Sequence, residues 1–171
     1  MKMEMAVGVQ NIAQKVDADD VMTALKGRKA WIISDGVTGH QAITSGIATR
    51  LTLDSEVRTV HPRSIWRHLA PNGPADPKVL RELMKSPLPD IAFGAGRQTV
   101  PFIRALRRAD VFTVIFQAPR TWRDTANLIW VPAHDRLTGA NVITTLTPPH
   151  RFTPDRIEAI RNGLPPRILD L

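Results

Sequence analysis

The sequence predicts an α/β fold with a Rossmann-like, doubly wound and mostly parallel sheet. Three observations carry this reading. Short β-rich apolar segments alternate with longer segments of helical period along the chain. Val111–Phe116 (VFTVIF) is β-branched or apolar at every position, as in a strand buried on both faces. The stretches that follow the predicted strands carry glycine, arginine, histidine and aspartate, at the sheet end where open parallel sheets bind ligands.

The elements follow in order. Val21, Met22 and Leu25 give a short amphipathic helix ending at Gly27. Lys29–Ser34 (KAWIIS) is the first strand, and Asp35–His40 (DGVTGH) its loop. A helix is predicted from Gln41 to Leu53, with Ile43, Ile47 and Leu51 on one face. Glu56–His61 is the second strand. Pro62–Pro74 reads as a loop by its prolines, glycine and asparagine, anchored by Ile65, Trp66 and Leu69. Asp76-Pro77 supplies an N-cap and first-turn proline for a helix that turns Val79, Leu80, Leu83 and Met84 inward. Asp90–Phe93, Val111–Phe116 and Asn127–Val131 are the next strands, and Val142–Thr145 a short sixth. Thr99 and Pro101 head the helix between the third and fourth, whose apolar face is Phe102, Ile103 and Leu106. Thr153-Pro154-Asp155 heads a last helix, with Ile157, Ile160 and Leu164 sharing a face and Gly163 as its stop.

Composition narrows the function. The chain has 171 residues, enough for one domain with a sizeable core. It has no cysteine, which excludes a disulfide framework, a thiolate metal site and a cysteine nucleophile. No run of about 18 apolar residues is present, so no transmembrane segment is expected. The N-terminus lacks a secretory apolar core and turns acidic at Asp17, Asp19 and Asp20, so a cytoplasmic location is expected. No metal and no cofactor are expected. Lys plus Arg number 23 against 16 Asp plus Glu, for a net charge of +7. The excess is uneven. Residues 1–90 hold 12 basic and 10 acidic side chains, a net +2, whereas residues 91–171 hold 11 and 6, a net +5. All 11 of the latter are arginines, the side chain that forks onto phosphate or carboxylate. An anionic partner is expected. Nucleic acid is not, because the chain has no tyrosine and no aromatic–basic interleaving.

Four post-strand loops hold the candidate site. In DGVTGH, Gly36 and Gly39 permit tight turns, and the free N–H groups of the following helix favour an anion. The loop is neither a P-loop nor a GxGxxG fingerprint. His40 reads in two ways: as a general base or acid, or as a first-turn helix residue bonded to a backbone group. Gly94-Ala95-Gly96-Arg97 can hold a phosphate or carboxylate through backbone N–H groups and Arg97, or be a tight turn with an exposed arginine. Gln117-Ala118-Pro119-Arg120 and Pro132-Ala133-His134-Asp135 complete the set, with Asn141 after Gly139. Asp135 can pair with His134, cap a turn or bind Arg136.

These loops also carry a resemblance. WIISDGVTGHQAITSGIATRL resembles the opening of the mitochondrial fission ELM family, a group with a plant mitochondrial division protein and many bacterial relatives. Asp35, Gly36, Gly39, His40 and Gln41 stand in its opening motif. PDIAFGAGRQTVPFIRALRR, VFTVIFQAPR and LIWVPAHDRLTGANVITTLTPPHRFTPDRI resemble its later blocks, in order. The resemblance covers Lys29 to Ile160. It implies the N-terminal, acceptor-side half of a GT-B-like glycosyltransferase or nucleotide-sugar protein. In that family a linker like Leu164–Ile168 leads into a second, donor-binding domain. The implied division is an extension over 1–27, a Rossmann-like domain over 28–165, and the start of a linker and truncated second domain over 166–171. The half would be inactive alone. His40, with Asp35, is then the candidate catalytic base. Gly36, Gly39, Gly94, Gly96, Arg97, Gln117, Arg120, His134, Asp135 and Asn141 are the candidate anion and substrate contacts. The implied partners are a nucleotide-sugar or a phosphorylated or lipid-linked acceptor, and a homodimer or second domain. The alternative is a non-enzymatic module that binds another protein, or a membrane surface peripherally, through a basic face.

Overall fold

The computed structural model describes residues 17–121 and 123–147, together with 158, 162 and 163. Six strands form one sheet: β1 (Lys29–Ser34), β2 (Asp54–Thr59), β3 (Ile91–Ala95), β4 (Phe112–Phe116), β5 (Leu128–Pro132) and β6 (Val142–Thr145). Their order is β2-β1-β3-β4-β5-β6. Every pairing is parallel. The helices are α1 (Ala18–Leu25), α2 (Thr38–Arg50), α3 (Ser64–Leu69), α4 (Pro77–Leu83) and α5 (Val100–Arg108). Among the described residues no helix is long and apolar enough to cross a membrane.

Strand alternation builds two cores, one on each face. Trp31, Ile33, Ile115, Ile129 and Val131 pack with Phe102, Ile103 and Leu106 of α5 and Leu83 of α4. Their neighbours Ala30, Ile32, Phe93, Val114 and Phe116 pack on the other face with Ala48, Ile43 and Ile47 of α2 and Leu25 of α1. Because both faces are covered, β1 and β3 read as nearly unbroken buried runs. At the sheet edge β2 is mostly exposed and carries Asp54, Glu56 and Arg58, charges that oppose further strand pairing.

The chain steps from β1 outward to β2 and then back across β1 to β3. The order therefore reverses between β1 and β3, a topological switch point of the flavodoxin type. The two helices leaving that point lie on opposite faces, α2 in one core and α5 in the other.

Several boundaries differ from the sequence reading. The helix after β1 starts at Thr38 and ends at Arg50, not Gln41 to Leu53. Asp35 accepts a hydrogen bond from Val37 N–H at 3.2 Å, which turns the chain directly into α2. The Pro62–Pro74 stretch contains α3, in which Ile65 and Leu69 are 65% and 45% exposed. Only Trp66, half-buried, remains a candidate anchor there. Met84 faces outward at 37% exposure. Phe112 is exposed, so burial of β4 begins at Thr113. The second strand lies two residues earlier than predicted. By contrast, Asp76 caps α4 as predicted, accepting from Lys78 N–H at 3.0 Å with Pro77 in the first turn. The predicted last helix falls largely outside the described residues, as do the N-terminal 16 residues and 164–171.

Candidate functional site

At the C-terminal end of β1, Ser34 is buried and its Oγ accepts from Gly36 N–H at 3.1 Å. Gly36 has φ +84°, a conformation open to glycine. This turn aims the Asp35 carboxylate at the first turn of α2. There His40 Nδ1 lies 3.2 Å from both Asp35 oxygens. The Asp35 side chain is 9% exposed and that of His40 25%. With Nδ1–H donated to the carboxylate, neutral His40 keeps its lone pair on Nε2. The structure bears on the helical reading of His40. It is a first-turn helix residue, but its partner is a carboxylate, not a backbone group.

The β3 loop closes over this pair. Gly96 has φ +87°, and a Cβ there would lie 2.5 Å from Asp35 Oδ2 and 2.5 Å from His40 Nδ1. Backbone therefore packs directly on the pair. Thr99, fully buried, holds the loop by donating from Oγ1 to Gly96 O at 2.8 Å and Ala95 O at 3.2 Å.

Beyond the pair opens a cleft of about 420 Å³. Its walls come from four strand ends: His40 after β1, Gly96 and Arg97 after β3, Gln117 to Arg120 after β4, and Pro132, His134 and Asp135 after β5. Arg97 Nη2 donates to the Arg67 carbonyl at 3.0 Å. This contact orients the guanidinium without neutralising it. Among the described residues, neither Arg97 nor Arg120 forms an ion pair with a carboxylate. Asp135 Oδ2 accepts from Ala118 N–H at 3.2 Å and so ties the β4 and β5 loops together. His134 Nε2 is 3.7 Å from Asp135 Oδ1, with its side chain 74% exposed. Gln117, Arg120 and Arg136 all have positive φ, at 71°, 49° and 51°. Two of these non-glycine left-handed residues, Gln117 and Arg120, line the cleft, and Arg136 follows its wall residue Asp135, which marks the region as strained.

Seven of the predicted residues line the cleft: His40, Gly96, Arg97, Gln117, Arg120, His134 and Asp135. Asp35 stands behind His40. Gly36 shapes the turn. Gly39 lies within α2, with open space where a Cβ would be. Gly94 has a different duty from the one predicted. A Cβ there would meet Ile103 Cγ1 at 2.6 Å and Thr99 Oγ1 at 3.0 Å, so this glycine lets α5 settle on β3. Asn141 lies at the β5–β6 connection, where its Nδ2 donates to Ala126 O at 3.0 Å. Sequence reasoning placed Thr99 at a helix head and Ala118 in the third loop but missed the hydrogen bonds each makes, and it missed the Asp35–His40 contact. Only the last had a signal, a carboxylate five residues before a histidine across a glycine turn.

Residues 38–171 match the family model for mitochondrial fission ELM1. The chain belongs to that family. The matched span of this ELM1-family chain begins at Thr38, the first residue of α2. It includes His40 and the three later cleft loops, while Asp35 and Gly36 lie just before it. No curated protein and no solved structure matches the chain.

Proposed function

We propose that this ELM1-family chain is the acceptor-side half of a GT-B-like glycosyltransferase, with His40 as the general base. The observation that carries the reading is the Asp35–His40 pair at the switch point, packed under Gly96 and facing a cleft whose Arg97 and Arg120 pair with no carboxylate among the described residues. In the reaction, Nε2 of His40 takes the proton of an acceptor hydroxyl. The acceptor oxygen bonds to the anomeric carbon of a nucleotide-sugar, and that carbon's bond to the diphosphate oxygen breaks. The diphosphate leaves with the electron pair. Asp35 keeps His40 in the productive tautomer and steadies the imidazolium. Arg97 and Arg120 supply positive charge for a phosphorylated acceptor or the departing diphosphate. A second domain would hold most of the donor in this reading, and the protein is proposed to act in the cytoplasm.

Two measurements test this. Pyrophosphate should bind the chain, more weakly as ionic strength rises. Arg97→Gln and Arg120→Gln should each weaken it about tenfold, from the loss of a hydrogen bond to a charged group. Binding that ignores both substitutions removes the cleft from the anion's path. In a form carrying the second domain, His40→Ala should cut turnover by about 10²–10⁴-fold with melting unchanged. Unchanged turnover would remove His40 as the base.

A further inference from the structure

The arginines of the second half do not all gather at the cleft. Arg104, Arg107 and Arg108 stand on α5 at the i, i+3, i+4 spacing that puts side chains on one helix face. With Asp124 and Thr125 they line a separate cavity of about 420 Å³. It lies towards the other end of the sheet. Arg108 ends α5 just before β4 begins, and Thr125 stands just before β5.

Backbone carbonyls hold this arrangement. Arg104 donates to the carbonyls of Pro71, Asn72 and Gly73, and Arg107 Nη1 to that of Asp124. A neutral carbonyl fixes a guanidinium without cancelling its charge. Among the described residues, neither Arg107 nor Arg108 forms an ion pair with a carboxylate. The helix end does not need these cations as caps. The N–H groups of Ala109 and Val111 already bond Leu106 O, and that of Asp110 bonds Arg107 O. The cations also repel one another. Arg104 and Arg108 are a like-charged i, i+4 pair, an arrangement that destabilises a helix. Burial first, and then the charge of Arg108, push the Arg104 pKa below its ordinary value. An anion entering the cavity relieves that repulsion.

We propose that this cavity is a binding site for a phosphate monoester. Three guanidiniums set against Asp124, the acidic residue of the described lining, leave a positive excess of two charges. A phosphomonoester carries about −1.5 to −2 near neutral pH, so it balances that excess. The arginine fork matches phosphate oxygens in pairs. The same group is offered by a free phosphorylated metabolite and by a monoester lipid headgroup.

The test is a titration of the full chain with glycerol 3-phosphate, followed by NMR at the arginine Nε–H resonances. Arg107 and Arg108 should shift together and saturate. Arg108→Gln, at an exposed position, should weaken binding about tenfold through loss of a hydrogen bond to a charged group. Arg107→Gln should act alike, with melting unchanged in both. Flotation with phosphatidylcholine vesicles containing phosphatidate separates the sources. Flotation lost in Arg108→Gln assigns the site to a headgroup. Saturation without flotation assigns it to a free ligand. Without flotation, shifts at Arg107 and Arg108 that grow linearly, or that sodium chloride reproduces at equal ionic strength, overturn the proposal. So does saturation confined to Arg97 and Arg120, which would leave the cleft as the anion's place. Binding indifferent to both glutamines, or equal affinity for the diester dimethyl phosphate, overturns it as well.

Discussion

Two glycines in one site carry opposite expectations. Gly96 has positive φ and backs onto Asp35 and His40 within 2.5 Å of a would-be Cβ, whereas Gly39 is helical and faces open space. Gly96→Ala should destabilise the chain by about 1–3 kcal/mol through strain and clash. Gly39→Ala should be neutral or stabilise by up to about 1 kcal/mol, by restricting the unfolded chain and favouring helix. Urea unfolding of both variants checks the contrast, and equal effects would contradict the packing described. Asp76 gives a second prediction at this scale. Its carboxylate is fully buried and accepts from Arg63 Nε and Nη2, both at 2.8 Å. The Arg63 hydrogen bonds hold its pKa well below the usual carboxylate range, with backbone donors from Arg63 and Lys78 adding to the effect. A depressed folded-state pKa contributes stability above the unfolded value near about 4. That contribution is lost as pH falls through the folded value. Asp76→Asn should therefore flatten the acid limb of stability against pH. Asp76→Ala should also lose the helix cap, at a cost of about 0.5–2 kcal/mol at neutral pH. Melting curves from pH 7 down to pH 2 distinguish the two.

Among the elements, the β3–α5 unit shows how sequence and packing divide the work. Ile103 approaches so closely that a Cβ on Gly94 would lie 2.6 Å from its Cγ1. Gly94→Ala should cost about 1–3 kcal/mol by overpacking, and Ile103→Ala should recover part of that loss in the double variant. Additive losses in denaturant titrations would contradict the contact. The strand and helix of this unit were legible because Phe102, Ile103 and Leu106 repeat at helical spacing. The duty of Gly94 was not, because a glycine that admits a neighbour and one that admits a ligand look alike in sequence. The α3 helix was hidden for another reason. Flanked by Pro62 and Pro71 and six residues long, it spans fewer than two turns, too few for a repeat to show. The start of α2 was misread because Gly39 looked like loop, although the first turn of a helix tolerates glycine readily.

Across the whole molecule, strand order and parallel direction made the site findable. Once the sheet was read as parallel and open, the residues after each strand were the residues to examine, and the four loops do meet around one cleft. What the pattern could not supply was proximity within the cleft. Asp35 and Gly96 are separated by more than half of the described sheet in sequence, and only the strand crossing between β1 and β3 brings them into contact.

The divergence of α2 and α5 to opposite faces has a consequence for how such a chain can change over generations. The notch between them exists because two helices part. No core side chain had to be removed to open it. Arg97, Gln117 and Arg120 stand on its rim, while the buried residues of β1, β3 and β4 stand beneath. Rim positions can be rewritten without disturbing the layer that folds the chain. The chemistry of the rim and the stability of the fold are thereby inherited on separate sets of residues, and a lineage can rewrite the one while its sheet stays the same.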